Sequence, residues 1–176
     1  MDGLPHPPAS LLTDPFRRQL TSLLPDLRGF ARFLVRERAE ADDLVQEALV
    51  RALSAAAQFR PGTNMKSWVF TILRNAFYEQ ARRHKTERAA LERAARTGPA
   101  PVSGPDEHSE IADLERRLWD LPPLLREALV LVGAQEMSYE EAAEICAVPV
   151  GTMKARVSRA RAQIRERIAD ALPAEQ

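Results

Sequence analysis

From Phe16 to Arg38, apolar side chains fall at Leu20, Leu23, Leu24, Leu27, Phe30, Ala31, Leu34 and Val35, a helical stripe that Pro25 interrupts. Ala41, Leu44, Val45, Ala48, Leu49 and Ala52 then keep the i, i+3, i+4, i+7 rule without a miss, so this second helix has one buried side. Phe59-Arg60-Pro61-Gly62-Thr63-Asn64-Met65 breaks the pattern with a turn, and a helix is predicted from about Lys66 to His84. Its broad apolar face holds Val69, Ile72, Leu73, Ala76, Phe77 and Ala81. Periodicity resumes with Ile111, Leu114, Leu118 and Trp119, turns at Leu121-Pro122-Pro123, and continues through Leu124, Leu125, Ala128, Leu129, Leu131 and Val132, where Gly133 is placed to end the helix. Ser138-Tyr139-Glu140-Glu141 reads as a capping box opening a short helix through Ala142, Ala143, Ile145 and Cys146. A last helix begins near Pro149 and runs to about Ala169, with Met153, Val157, Ala160, Ile164 and Ile168 on its core side. No stretch alternates apolar and polar residues between turns, so the predicted fold is all-α.

Thr97 to Pro105 holds three Pro and two Gly in nine residues and continues neither helix nor strand. The expected organisation is therefore two small helical domains, 12–86 and 109–172, joined by a flexible linker over 87–108.

The polar faces differ in chemistry. On the helix of residues 41–54 the solvent side shows Asp43, Gln46, Glu47 and Val50, with Glu40 and Asp42 in the first turn, where carboxylates suit the helix dipole. On the helix from Lys66, the polar face carries Thr71, Arg74, Asn75, Tyr78 and Arg82, with Trp68 at its border. Cations for phosphates, rings for stacking and amides for base edges are what single-stranded nucleic acid requires. The Arg60–Met65 loop, with Thr63 and Asn64, is short and adjacent to Trp68, as a pocket for one flipped base would be. In the second domain, a short helix, a tight turn and a longer basic helix make a helix-turn-helix. Opposite its core side the last helix sets the small Ala155, Ser158 and Ala162 among Lys154 and Arg159, flanked by Arg156 and Arg161. That alternation lets a backbone approach a major groove while Lys154 and Arg159 reach base edges and flanking cations reach phosphates.

Charge sharpens this division. The chain has 25 basic and 25 acidic residues, yet residues 1–85 hold 13 basic against 9 acidic, 106–147 hold 3 against 11, and 148–168 hold 6 against 1. The middle segment can shield the basic surfaces on either side. At 176 residues, 45% hydrophobic and 28% charged, the chain is long enough for one domain or two small ones with packed cores, and disorder throughout is excluded. One Cys and three scattered His give no disulfide framework and no metal pattern, so no metal or cofactor is expected. Asp42-Asp43 has no His or Cys spaced to act with it, so catalytic roles stay empty and the expectation is not an enzyme. No apolar run approaches the roughly 18 residues of a membrane span and the N-terminus lacks the parts of a signal peptide, which predicts a cytoplasmic protein.

Four segments in order resemble the extracytoplasmic-function group of sigma-70-type bacterial sigma factors, from about Phe16 to Ile168. Ala41-Asp42-Asp43-Leu44-Val45-Gln46-Glu47-Ala48 resembles the family's docking segment for the polymerase clamp helices. Ser67-Trp68-Val69-Phe70-Thr71-Ile72-Leu73-Arg74-Asn75 resembles its −10 region. Ser138-Tyr139-Glu140-Glu141-Ala142-Ala143 through Val150-Gly151-Thr152-Met153-Lys154-Ala155-Arg156-Val157 resembles its −35 helix-turn-helix. The resemblance implies polymerase contacts at Asp42, Asp43, Gln46, Glu47 and Val50. It implies −10 contacts at Arg60, Thr63, Asn64, Trp68, Thr71, Arg74, Asn75, Tyr78 and Arg82. Its −35 contacts would be Thr152, Lys154, Ala155, Arg156, Ser158, Arg159 and Arg161. The implied partners are RNA polymerase core, through the clamp helices of the largest subunit and the flap region, and promoter DNA.

Pro61-Gly62-Thr63-Asn64-Met65-Lys66-Ser67-Trp68 and Arg126-Glu127-Ala128-Leu129-Val130-Leu131-Val132-Gly133-Ala134 are similar to the general-stress-response subgroup of alphaproteobacteria. That implies a small helical anti-sigma factor, itself captured by a response-regulator mimic of the sigma factor. The free chain is expected to be autoinhibited, or held by an anti-sigma factor that contacts both domains. The competing reading is a helix-turn-helix regulator that binds duplex DNA by itself.

Overall fold

The computed structural model describes residues 14–94 and 110–171. Eight α-helices lie among them: α1 (Asp14–Ser22), α2 (Leu24–Leu34), α3 (Arg38–Ser54), α4 (Met65–Ala94), α5 (Glu110–Trp119), α6 (Pro123–Leu129), α7 (Tyr139–Cys146) and α8 (Val150–Ala171). The fold is all-α, as the periodicity predicted, and no strand occurs among the described residues. Most of the expected linker lies outside them.

Pro25 does more than interrupt a stripe. It ends one helix and sits in the first turn of the next, where its missing N–H would have had no partner. α3 buries Ala41, Leu44, Val45, Ala48 and Ala52 against α2 and α4, leaving Leu49 half-buried. Gly62 takes a left-handed φ of 87° with open space around it, so backbone conformation alone asks for glycine there. Asn64 then caps α4 by accepting the Ser67 backbone N–H at 3.2 Å. α4 continues to Ala94, past both His84 and the expected domain boundary at 86, because Lys85 to Ala94 contains no helix breaker before Gly98-Pro99.

In the second half, Gly133 does not end a helix. A π-turn over Val130–Ala134 carries the chain past it, and Glu136 takes the left-handed conformation, φ 54°. The capping box is present as read: the Glu141 N–H donates to Ser138 Oγ at 3.1 Å and the Ser138 N–H to Glu141 Oε2 at 2.8 Å. Ala147, φ 52°, turns the chain between α7 and α8. Met153, Val157 and Ala160 are buried as expected. Ala81 and Ile168 are exposed instead, because their helices overhang the packed body by that point.

The two halves share a core. Phe30 stacks on Phe70 at 5.1 Å between α2 and α4, and the same buried cluster runs on through Val130, Leu131, Met137, Ala142, Ala143 and Ile145. α4 packs against α7, and α2 against α6. Arg126, 6% exposed, joins them: Nε donates to the Phe33 carbonyl at 2.9 Å and Nη1 to those of Trp119 at 3.1 Å and Leu121 at 3.4 Å. One guanidinium thus satisfies terminal carbonyls of α2 and α5, where a cation also complements both helix dipoles.

Candidate nucleic-acid interface

The acidic face of α3 is open. Asp42, Asp43 and Gln46 are exposed, and Val50 shows 60% of its surface among them. An apolar residue so exposed within an acidic patch suits a partner that is basic and partly apolar. Glu47 differs, being half-buried and bonded to Arg51 Nε at 2.7 Å, while Arg51 Nη1 reaches Glu79 of α4 at 2.8 Å. These two carboxylates hold the Arg51 proton more firmly than in water, and Arg51, braced by Glu47, ties α3 to Glu79 of α4.

The second group surrounds the turn into α4. Arg60, Thr63 and Asn64 are exposed, with Thr63 Oγ1 folded back onto the Arg60 carbonyl at 2.7 Å. Trp68 is half-buried in an aromatic cluster, 5.2 Å from Phe59 and 6.3 Å from Phe16 between ring centroids. Against the back of this loop lies a cavity of ≈ 220 Å³ lined by Phe16, Ala56, Phe59, Pro61, Gly62 and Met65, together with Pro15 and Gln19. Asn75 and Arg82 are exposed on α4, and Arg82 Nε donates to the Tyr78 carbonyl at 3.3 Å.

The rest of that face is occupied by the second half of the chain. Arg74 Nε donates to Glu127 Oε1 at 2.7 Å, and the Tyr78 hydroxyl donates to Glu127 Oε2 at 3.3 Å. The Arg74 guanidinium lies 4.5 Å from the Tyr78 ring. Burial opposes the charge on Arg74, but Glu127 outweighs it and lifts the Arg74 pKa; burial and the same carboxylate lift that of Tyr78. The Asn64 side-chain amide donates to Glu141 Oε1. Glu141 is held below the ordinary carboxylate range, first by the Ser138 backbone N–H and then by desolvation-opposed bonds from Ser138 and Asn64. Thr71 Oγ1 turns back onto the Ser67 carbonyl at 2.8 Å. Lys66 Nζ bonds the Gln135 carbonyl at 3.0 Å and Asp26 at 2.8 Å.

On α8, Lys154, Ser158, Arg159 and Arg161 are exposed, while Thr152 and Ala155 are half-buried. Lys154 Nζ lies 5.7 Å over the Tyr139 ring, and Arg159 Nε lies 3.3 Å from the Ala155 carbonyl. Arg156, read as a phosphate contact, turns inward instead, with Nη1 buried and without a hydrogen-bond partner among the described residues. It sits close enough to Cys146 to act on its thiol, which burial pushes up to about 12. A thiol so shifted is inert.

Sequence reasoning missed Glu127, 1% exposed, and the buried role of Arg126. A signal was present: they form a charged pair inside the otherwise apolar run Leu124 to Val132. Charged residues are seldom fully buried unless paired, so such a pair points to partners across an interface. Among the described residues no group of His, Cys, Asp and Glu could hold a metal, and no helix is long and apolar enough to cross a membrane.

Residues 20–87 match the family described as Sigma-70 region 2, and residues 111–164 that described as Sigma-70, region 4. The chain is 42% identical over 153 residues to the ECF RNA polymerase sigma factor EcfG of Rhodopseudomonas palustris, covering 87% of this chain and 84% of that one. It is 34% identical over 137 residues to the ECF RNA polymerase sigma factor SigC of Mycobacterium tuberculosis, covering 76% and 71%. The sigma factor RpoE of Bartonella quintana, solved in complex with the anti-sigma factor NepR, superposes with a TM-score of 0.76 at 37% identity, over 91% of this chain and 100% of that one.

Proposed function

This chain belongs to the extracytoplasmic-function sigma factors of the sigma-70 family, and from that membership we propose how its surfaces direct RNA polymerase to promoters. The observation that carries the reading is the order of three distinct faces along one chain: an open acidic face with exposed Val50 on α3, a cationic and aromatic face on the loop and helix α4, and a basic helix-turn-helix at α7–α8.

Asp42, Asp43, Gln46 and Val50, with Glu47 behind them, dock on the clamp helices of the largest polymerase subunit. The loop of Arg60, Thr63 and Asn64, with the cavity beside Phe59 and Trp68, receives an unstacked −10 base. Thr71, Arg74, Asn75, Tyr78 and Arg82 track the separated strand. Lys154 and Arg159 read −35 base edges, Arg161 holds phosphate, and Thr152, Ala155 and Ser158 set how near α8 comes to the groove. Each DNA contact is weak alone and gains from tethering by polymerase and by the other half of the chain. The chain's part is binding and positioning rather than catalysis, and its place of action is the cytoplasm, with the polymerase.

The Bartonella relative was solved with an anti-sigma factor, and the subgroup motifs around Pro61–Trp68 and Arg126–Ala134 support the same regulation here. A small helical anti-sigma factor holds this chain until a response-regulator mimic captures it, and the genes served are those of the general stress response. Pulling the tagged chain from its host tests the reading. Core polymerase subunits should be retained, and their absence under inducing stress would refute it.

A further inference from the structure

Tyr139 belongs to none of the contact surfaces assigned above, yet it stands beside the −35 reading face. It is the first residue of α7, half-buried against the core that both halves share. The capping box fixes its backbone from both sides, because Ser138 before it and Glu141 after it bond each other at 3.1 and 2.8 Å. Its ring is therefore carried on a fixed turn. α8 packs against α7, and Lys154, in the second turn of α8 next to buried Met153, sets its Nζ 5.7 Å over that ring.

α7 carries three carboxylates, Glu140, Glu141 and Glu144, but Lys154 pairs with no acidic group among the described residues. A carboxylate would offset the charge and take up N–H donors, whereas the quadrupole of a ring face steadies the ammonium and leaves its far side free for guanine O6 or N7. Lysine needs such help, since a flexible four-carbon stem must give up rotamer freedom before it can discriminate between bases. Arg159, the other proposed base reader, meets the same need within α8, where its Nε donates to the Ala155 carbonyl at 3.3 Å. Arg161, the proposed phosphate contact, is exposed and has no brace among the described residues. A phosphate contact carries no sequence information, so it requires none.

We propose that Tyr139 is a positioning residue for −35 recognition, whose ring holds the Lys154 ammonium, still fully charged, toward one base pair in the major groove. This role rests on the sigma-factor reading and adds to it a residue of α7 that acts through α8. It concerns specificity, because the number of cations on the DNA face is the same with or without the ring. The hydroxyl has no part in it. Tyr139 Oη bonds no described residue, and the ring face alone supplies the attraction.

The test uses the full chain with polymerase core and a set of promoters that differ at single −35 base pairs. Tyr139→Leu should weaken binding about threefold at the preferred sequence and relax preference at one base pair, with the salt slope and the preference set by Arg159 unchanged. Tyr139→Phe, which keeps the ring, should behave as the parent. In a Lys154→Ala background, Tyr139→Leu should cause no further loss. Should Tyr139→Leu fail to fold by circular dichroism, pentafluorophenylalanine at position 139 keeps the ring's shape while reversing its quadrupole, and the same loss is expected. A second readout needs no DNA. The chain has three lysines, Lys66, Lys85 and Lys154, so isotope-labelled lysine gives three ε-methylene signals by nuclear magnetic resonance. That of Lys154, identified with Lys154→Arg, should lie upfield in the parent, where the ring current reaches it. Equal weakening at every −35 sequence, a loss in Tyr139→Phe as large as in Tyr139→Leu, additive losses with Lys154→Ala, or a Lys154 signal at the ordinary lysine position in the parent would overturn the role. Failure of the parent to show any −35 preference with core would instead count against the sigma-factor reading, with the lysine signal still deciding whether the ring holds Lys154.

Discussion

At Arg126 one side chain connects three stretches of backbone, because its guanidinium donates to carbonyls of Phe33, Trp119 and Leu121 while lying 3.9 Å from the Trp119 ring. Burial pushes its pKa down without neutralising it. Arg126→Ala strands those acceptors, and the expected loss is about 1–3 kcal/mol in urea unfolding. Arg126→Lys should recover only part of it, since a point charge cannot serve the forked geometry. Such residues were the hardest to read in advance. Periodicity places Leu, Ala and Val on a face, but it does not say which carbonyl from 93 positions away a buried cation will meet.

Among elements, the proposed docking falls to α3 and the proposed −35 reading to α8. On α3 the structure narrows the test of docking to residues free of structural duty, since Glu47 braces Arg51. Asp43→Lys with Val50→Asp should weaken polymerase-core binding severalfold while changing stability by no more than about 0.5 kcal/mol per site. Equal core affinity, measured by fluorescence anisotropy, would remove the assignment. On α8, Arg159→Ala should cost about 1–3 kcal/mol at the preferred −35 sequence and relax preference at one or two base pairs. Arg161→Ala should weaken all promoters alike and lower the salt slope by about one. Electrophoretic mobility shifts of the polymerase-bound complex across a salt series separate the two. These elements were the legible part of the chain. The capping box at Ser138, the stripe of α3 and the exposed cations of α8 all follow from local spacing, which sequence carries directly. Boundaries fared worse where signals were absent or overridden, as at Ala94, where no breaker stops α4, and at Gly133, which the π-turn passes.

For the whole molecule, segmental charge foretold which surfaces attract one another, but not that they would meet through Glu127 and Arg74 in one continuous core. Long-range pairing of this kind depends on three-dimensional packing, so the −10 residues were legible as chemistry and illegible as contacts. Under the proposed function, promoter opening belongs to the complex and not to the free chain. Potassium permanganate footprinting on a host stress promoter measures this most directly, with chain alone, polymerase core alone and both together. Unpaired thymines should become reactive around −10 only when both are present, and Tyr78→Ala should reduce that reactivity while sparing −35 protection. Specific protection of duplex promoter by the free chain, or no opening with core present, would contradict the account.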